Sequence, residues 1–319
     1  MAVLQRILCG AAAASLLAAG GADGVARAAD PESTVVEQLI VTARQPGPAW
    51  WRVSNSTSVV YILGLPSALP KGQTWNTSVV ERRLKGANEV IGPPTATAGA
   101  SDTLAFLSIL NQLHTKDAME DGLPANLKAR FEADRGRLSD DPRAYSHWAP
   151  AVAGLQMVGD WRKKTGLDAA EPAKTVRHLA EHDGVKFVPA ATYKALPLFK
   201  AIAAQAGQMG PPCLTDALDE IEAGAGPVRA AADGWARGDV RAALGEQRGY
   251  EKCANSFPGG AELTRQAMRD TTGAIAGALA KPGHSLALVN LRALLAAGGV
   301  LQQLQARGYK IEKPDMAGD

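Results

Sequence analysis

The sequence predicts an α/β fold: a mainly parallel sheet, flanking helices and a helical middle inserted between two sheet-forming ends. Three observations predict it. Short apolar runs, the largely β-branched Val59–Leu63 and then Ser285–Val289, lie near the two ends of the chain and alternate with helical periodicity. Alanine dominates an apolar fraction of 46% while aromatics make up only 5%, a composition that favours closely packed helices. No Pro/Gly/Ser-rich linker is long enough to divide the 319 residues into separate domains.

The first 28 residues read as a leader. Arg6 supplies a positive start, Ile7–Ala19 is apolar and uncharged, and Ala26-Arg27-Ala28 offers the small residues a signal peptidase reads, which places cleavage before Ala29. The apolar run is shorter than the roughly 20 residues that span a bilayer, so a membrane anchor is the weaker alternative. Removal of Cys9 with the leader leaves Cys213 and Cys253. An even pair in an exported chain suggests a disulfide; two buried free thiols are the alternative. The expected location is the periplasm or outside the cell, with no transmembrane helix after cleavage.

Residues 29–48 read as a flexible tail ended by Pro46-Gly47-Pro48, and residues 314–319 as a short C-terminal tail. Between them, 49–313 forms one domain. Trp51-Arg52-Val53 and Val59–Leu63 suggest a hairpin whose second strand is buried on both faces. Ser78–Gly86 is predicted helical and Glu89–Ile91 extended. The mostly helical middle, 101–260, carries helices at about 101–113, 126–138, 150–164, 174–182, 196–206, 213–225 and 228–246, interrupted by a short strand at Lys186–Val188 after Gly184. Ala261–Ala280 is a helix, Ser285–Val289 a strand, Gly299–Arg307 a helix and Tyr309–Ile311 a last strand.

Charge and motifs exclude several function classes. With 34 basic and 32 acidic residues there is no general drive toward nucleic acid, and no basic cluster with interleaved aromatics stands out. Collagen, a coiled-coil rod, a zinc ribbon and a polytopic membrane protein do not fit the composition. There is no phosphate loop, dinucleotide fingerprint, Gly-x-Ser-x-Gly elbow or His-Glu-x-x-His. His178 and His182 share a helix face, as zinc ligands can, but no carboxylate base sits between them in a useful place, so they read as solvent-facing. His284 reads as a turn residue, and Asp140-Asp141 as a turn or cap that could also bind a cation.

Other stretches carry a resemblance. Trp51-Arg52-Val53, then Val60–Leu63 running into Gly64-Leu65-Pro66-Ser67-Ala68-Leu69-Pro70, resembles the opening of the TraB/GumN family. Trp235-Ala236-Arg237-Gly238-Asp239 resembles its Trp-x-x-Gly-Asp helix. Arg269-Asp270 stands where the family has Arg-Asn. Ser285–Val289, Gly299-Val300-Leu301 and Arg307-Gly308-Tyr309 follow its C-terminal strand–helix–strand. The resemblance spans about residues 49–313. It implies a fold related to the erythromycin-esterase and ChaN-like folds, and a metal-dependent hydrolase site built from two Gly-x-x-His motifs and glutamates at strand ends.

Here the corresponding positions are Ser67, Gly92, Ala191 and Ala293, of which only serine carries a side-chain donor. The resemblance therefore implies a scaffold without its metal site: no catalytic residues, no metal and no cofactor. Its cleft would bind a peptide, a glycan or an envelope protein, with Gly64, Arg269, Asp270, Asn290 and Arg292 as binding candidates. Two alternatives stand beside it. One is a hydrolase with relocated ligands among His114, His147, Asp140 and Asp141. The other is an accessory protein of outer-membrane transport, because Val36–Ala43 resembles a TonB box, a short strand through which a TonB-type partner is engaged.

Overall fold

The computed structural model describes residues 29–40, 47–168, 170–205, 210–245, 248–256 and 259–314. Residues 1–28, where the sequence suggests a leader, residues 41–46 and the C-terminal residues 315–319 lie outside the described residues.

The sheet begins with the predicted hairpin. Strand β1 (Trp50–Ser54) pairs antiparallel with β2 (Ser58–Leu65), Trp50 opposite Leu63 and Val53 opposite Val60. Asn55 makes the turn: its side-chain oxygen accepts from the N–H groups of Thr57 and Ser58 at 3.0 and 2.8 Å. The remaining strands are β3 (Leu69–Pro70), β4 (Val90–Gly92), β5 (Thr95–Thr97), β6 (Leu167–Asp168), β7 (Phe187–Pro189), β8 (Thr192–Lys194), β9 (Gly283–Asn290) and β10 (Lys310–Glu312). Six of them form one sheet in the order β10-β1-β2-β9-β4-β7. The β2–β9, β9–β4 and β4–β7 pairs are parallel; β10–β1 and β1–β2 are antiparallel. The mainly parallel α/β prediction holds. The two-stranded pairings β3–β6 and β5–β8 were not anticipated.

Helices flank this sheet. They are α1 (Ser78–Leu84), α2 (Thr103–Leu113), α3 (Ala125–Leu138), α4 (Pro150–Lys164), α5 (Glu171–His182), α6 (Ala195–Gln205) and α7 (Gly210–Ala223), followed by α8 (Gly226–Ala236), α9 (Val240–Ala243), α10 (Gly249–Ser256), α11 (Gly260–Leu279), α12 (Leu291–Leu295) and α13 (Val300–Ala306). Helix α11 packs on β2 and β9 and also meets α13, while α1 and α5 pack on β9, β4 and β7. The predicted helix over 228–246 is two helices, because Gly238 takes φ +77° and Asp239 caps α9 by accepting the N–H of Ala242. Helix α10 was not predicted.

The helical middle has its own apolar centre. Phe131, Met157, Trp161, Leu214 and Leu218 pack together from α3, α4 and α7. Gly154 allows α4 to lie close on α7, since a Cβ there would sit 2.9 Å from that of Ala217. A smaller cluster joins α2 to α6 through Phe106 and Phe199, edge to face at 5.1 Å. Cys213 on α7 and Cys253 on α10 form a disulfide. No helix among the described residues is long and apolar enough to cross a membrane.

Residues 29–40 are not an undocked tail. Val36 N–H donates to Leu295 O and Ala297 N–H to Thr34 O, both at 2.9 Å, and Val35 bridges Ala296 as an added antiparallel residue. Val35, Leu39 and Ile40 pack against the main core. The Pro46-Gly47-Pro48 break suggested a free segment, but its backbone finds partners and its acids find a buried arginine. Of the stretch 36–43, Glu37–Leu39 form a 3₁₀ turn, while 41–43 lie outside the described residues.

The disulfide closes a loop with a sequence separation of 40 residues. A Cys213→Ser/Cys253→Ser variant should lose about 4 kcal/mol of stability in the loop-entropy account. Denaturant unfolding without reductant checks this, with the parent protein in reductant matching the variant.

Candidate functional site

A parallel arrangement brings the carboxyl ends of β2, β9, β4 and β7 to one edge of the sheet, where open α/β sheets place ligands. At the β2–β9 end, loops 65–67 and 290–292, the end of α9, the start of α10 and Glu32 line a small pocket with a cavity volume of about 20 Å³. Ser67, Asn290 and Arg292 line it. Asn290 also caps α12, its side-chain oxygen accepting from the N–H groups of Arg292 and Ala293 at 2.9 and 3.3 Å. The Arg292 guanidinium donates to the carbonyl of Leu244.

The other positions singled out from sequence lie elsewhere. Gly92 and Ala191 stand at the ends of β4 and β7 and are outside the pocket lining. A Cβ at Gly92 would overlap the ring of Phe187, which occupies the space a larger side chain would need. Ala293 packs against the main core next to the pocket. Asp270 on α11 accepts from the hydroxyl of Tyr193 at 2.7 Å and from Gln266 at 2.6 Å; burial and this bond to Asp270 push the Tyr193 hydroxyl up. Arg269 pairs with Glu262 on the exposed side of the same helix.

Gly64 lies beneath the site and packs tightly. Its carbonyl accepts the Nε1–H of buried Trp235 at 2.6 Å, and a Cβ would strike Leu291. This bond connects two stretches noted separately in the sequence: Gly64 at the end of β2 and the Trp235–Asp239 run at the α8–α9 junction.

Three pocket residues had no sequence signal: Glu32, Arg248 and Glu251. Glu32 lies in the presumed tail and the other two at the unpredicted α10. Arg248 is 7% exposed; it donates to Asp30 at 2.7 Å and to Glu32 at 2.9 Å. Asn255 donates to Asp30 at 2.7 Å. Arg162 links Glu251 to buried Glu220. Burial raises the Glu32 carboxyl above its ordinary value, opposed by Arg248 and assisted by the charges of Asp30 and Glu251.

A divalent metal does not fit the residues at the family positions. Ser67 is the one side-chain donor among the four, and a neutral hydroxyl does not balance two positive charges. Among the described residues no three His, Cys, Asp or Glu side chains gather as a ligand set, so His114, His147, Asp140 and Asp141 do not form one. His178 and His182 are exposed on α5, and Asp141 caps its turn by accepting the N–H of Arg143.

Fold and site together define an α/β protein with an open, mainly parallel sheet and a charged pocket at its carboxyl edge. The sequence pattern of the TraB/PrgY/gumN family matches residues 49–313, and the chain belongs to that family. No curated protein and no solved structure matches it.

Two measurements follow from this geometry. Trp235→Phe keeps an aromatic ring but removes the donor to Gly64, and should cost about 1–3 kcal/mol in urea unfolding. Trp75→Phe, whose ring only packs edge-on against Trp235, should cost less. Glu32 titrates higher in the docked state than its ordinary 4.5, so its contribution to stability is full below 4.5 and is lost as pH rises through the raised value. Relative to Glu32→Gln, the melting temperature of the parent should therefore fall as pH rises from 4.5, whatever the offset between the two at 4.5.

Proposed function

We propose that the protein is an exported binding protein that retains the family cleft and uses it to hold a peptide rather than to hydrolyse one. The observation that carries this reading is the chemistry of the family's ligand positions. Ser67 stands in the pocket where the resemblance expects a histidine, and the space beside Gly92, where it expects a glutamate, is filled by Phe187. Metal-activated hydrolysis needs imidazole or carboxylate ligands held around one ion with a position left for water. Ser67, Gly92, Ala191 and Ala293 together supply one hydroxyl.

The pocket lining favours a peptide over a glycan. It contains no aromatic platform, but it offers two arginines, two glutamates, an asparagine and a serine beside loop backbone. Export is supported by the leader-like start, Arg6 with Ile7–Ala19 and Ala26-Arg27-Ala28, and by the Cys213–Cys253 disulfide, which persists in an oxidising compartment.

Elemental analysis of purified protein, with thermal melts in added zinc or manganese and in chelator, tests the loss of the metal site. The expected result is no stoichiometric metal, no shift in melting temperature and no metal-dependent cleavage of peptides. A tightly held metal whose chelation lowers the melting temperature by several degrees would overturn the reading.

A further inference from the structure

Residues 30–37 lie against the cleft in the manner of a bound peptide. Asp30–Ser33 is a turn, with Ser33 N–H donating to Asp30 O at 3.1 Å and Glu32 N–H to the Asp30 side chain at 3.0 Å, and Arg248 takes both acids. Pro31 sets the first corner of that turn. Beyond it the main chain meets the α12–α13 connection through one antiparallel bridge residue, Val35, flanked by the Thr34–Ala297 and Val36–Leu295 bonds. Glu37 closes the contact on Arg241 at 2.7 Å. Main-chain pairing that gives affinity, with alternate side chains that give specificity, is how strand addition recognises a peptide.

We propose that this groove is a docking site for an acidic peptide, and that segment 30–37 is its resident occupant in cis, displaced when such a peptide binds in trans. The inference rests on the reading of the cleft as a binding site and names its ligand class. The ligand carries two carboxylates two residues apart on a turn, followed by a short β-branched stretch that pairs through its backbone and a third acid.

Three features support exchange rather than permanent closure. The six-stranded sheet is made entirely of residues from Trp50 onward, so it does not require the segment. The pocket also extends beyond Glu32 to Ser67 and Asn290. Finally, Arg248 Nε and Glu251 Oε2 are buried in its lining without hydrogen-bond partners among the described residues, leaving polar capacity that the resident segment does not use. A tethered segment faces its groove at an effective concentration on the order of millimolar, so it excludes weak competitors and yields to tighter ones.

The test uses the full chain and a labelled peptide with the sequence of residues 29–40, read by fluorescence anisotropy. The parent should bind the peptide weakly. Asp30→Asn/Glu32→Gln, which loosens the resident segment, should bind it about tenfold more tightly or better. Adding Arg248→Met should remove that gain, and a peptide with Asn and Gln at the two acids should not bind. Backbone hydrogen exchange at Ala297 should speed up in the loosened variant.

No binding by a loosened variant that melts like the parent would overturn the proposal. So would binding independent of Arg248, or failure of the loosened variant to fold, because the segment would then be a structural element. Metal analysis on the same samples separates the two readings. Bound metal counts against the binding-protein function, whereas metal-free protein that ignores the peptide overturns this inference alone.

Discussion

Two parallel strands cannot be joined by a tight turn, and β2 and β9 run side by side over their full length, Ser58 opposite Gly283 through Leu65 opposite Asn290. The chain must leave β2 after Leu65 and come back beside it at Gly283, adding β4 and β7 to the same sheet on the way, and nearly everything else in the molecule lies on that excursion. The buried apolar register between Ile62 and Ala287 and between Leu63 and Leu288 holds the two ends of the domain together. Because both strands point the same way, the loops that follow them, 65–67 and 290–292, emerge at the same edge and face each other across the pocket. Trp235 fixes the returning chain there: its bond to the Gly64 carbonyl ties the end of β2 to α8, and α9, which follows directly, brings Ala243 and Leu244 to the pocket wall.

That geometry separates scaffold from chemistry. The edge position is a property of the parallel pairing and survives any change of loop side chains. Hydrolysis depends on particular donors at the strand ends; at the positions that the resemblance implies for them, this chain has a hydroxyl, a hydrogen and two methyl groups. At Gly92 the replacement extends beyond a missing group, since the Phe187 ring has taken the volume and Arg177 lies over that ring at 4.4 Å. The same edge instead carries an arginine buried between carboxylates. In the binding reading proposed above, the fold sets where recognition takes place and the side chains determine how.

The sheet was legible because its strands are β-branched runs punctuated by glycine, and positive-φ Gly184 ended a helix where its position suggested. The α8–α9 break was less legible, because Gly238 sits in an otherwise helical pattern and the stop depends on its left-handed backbone. Helix α10 is only eight residues long and is held by the Cys213–Cys253 link, which is not a local signal. The β3–β6 and β5–β8 pairs join short segments about 100 residues apart, beyond the reach of periodicity. At the site, Ser67, Asn290 and Arg292 could be found by counting from recognisable strands. Glu32 could not, since acids in a polar leader-proximal stretch read as solvated until a buried arginine is known to lie opposite.

The Asp30–Arg248–Glu32 cluster also explains how such a contact can be specific without being tight. Taking three charges out of water costs several kcal/mol per ion, and their mutual attraction repays that cost only in part, so a buried cluster of this kind adds little net stability. The raised Glu32 carboxyl reflects the same balance, with burial outweighing the arginine. Yet a segment lacking either acid would leave Arg248 buried and uncompensated, which is far more costly than a surface mismatch. Discrimination against the wrong sequence is therefore large while the free energy holding the right one is small. Two backbone bonds and the half-buried Val35, Leu39 and Ile40 add a modest, largely sequence-tolerant hold. A segment bound on those terms can be selected by its acids and still be exchanged.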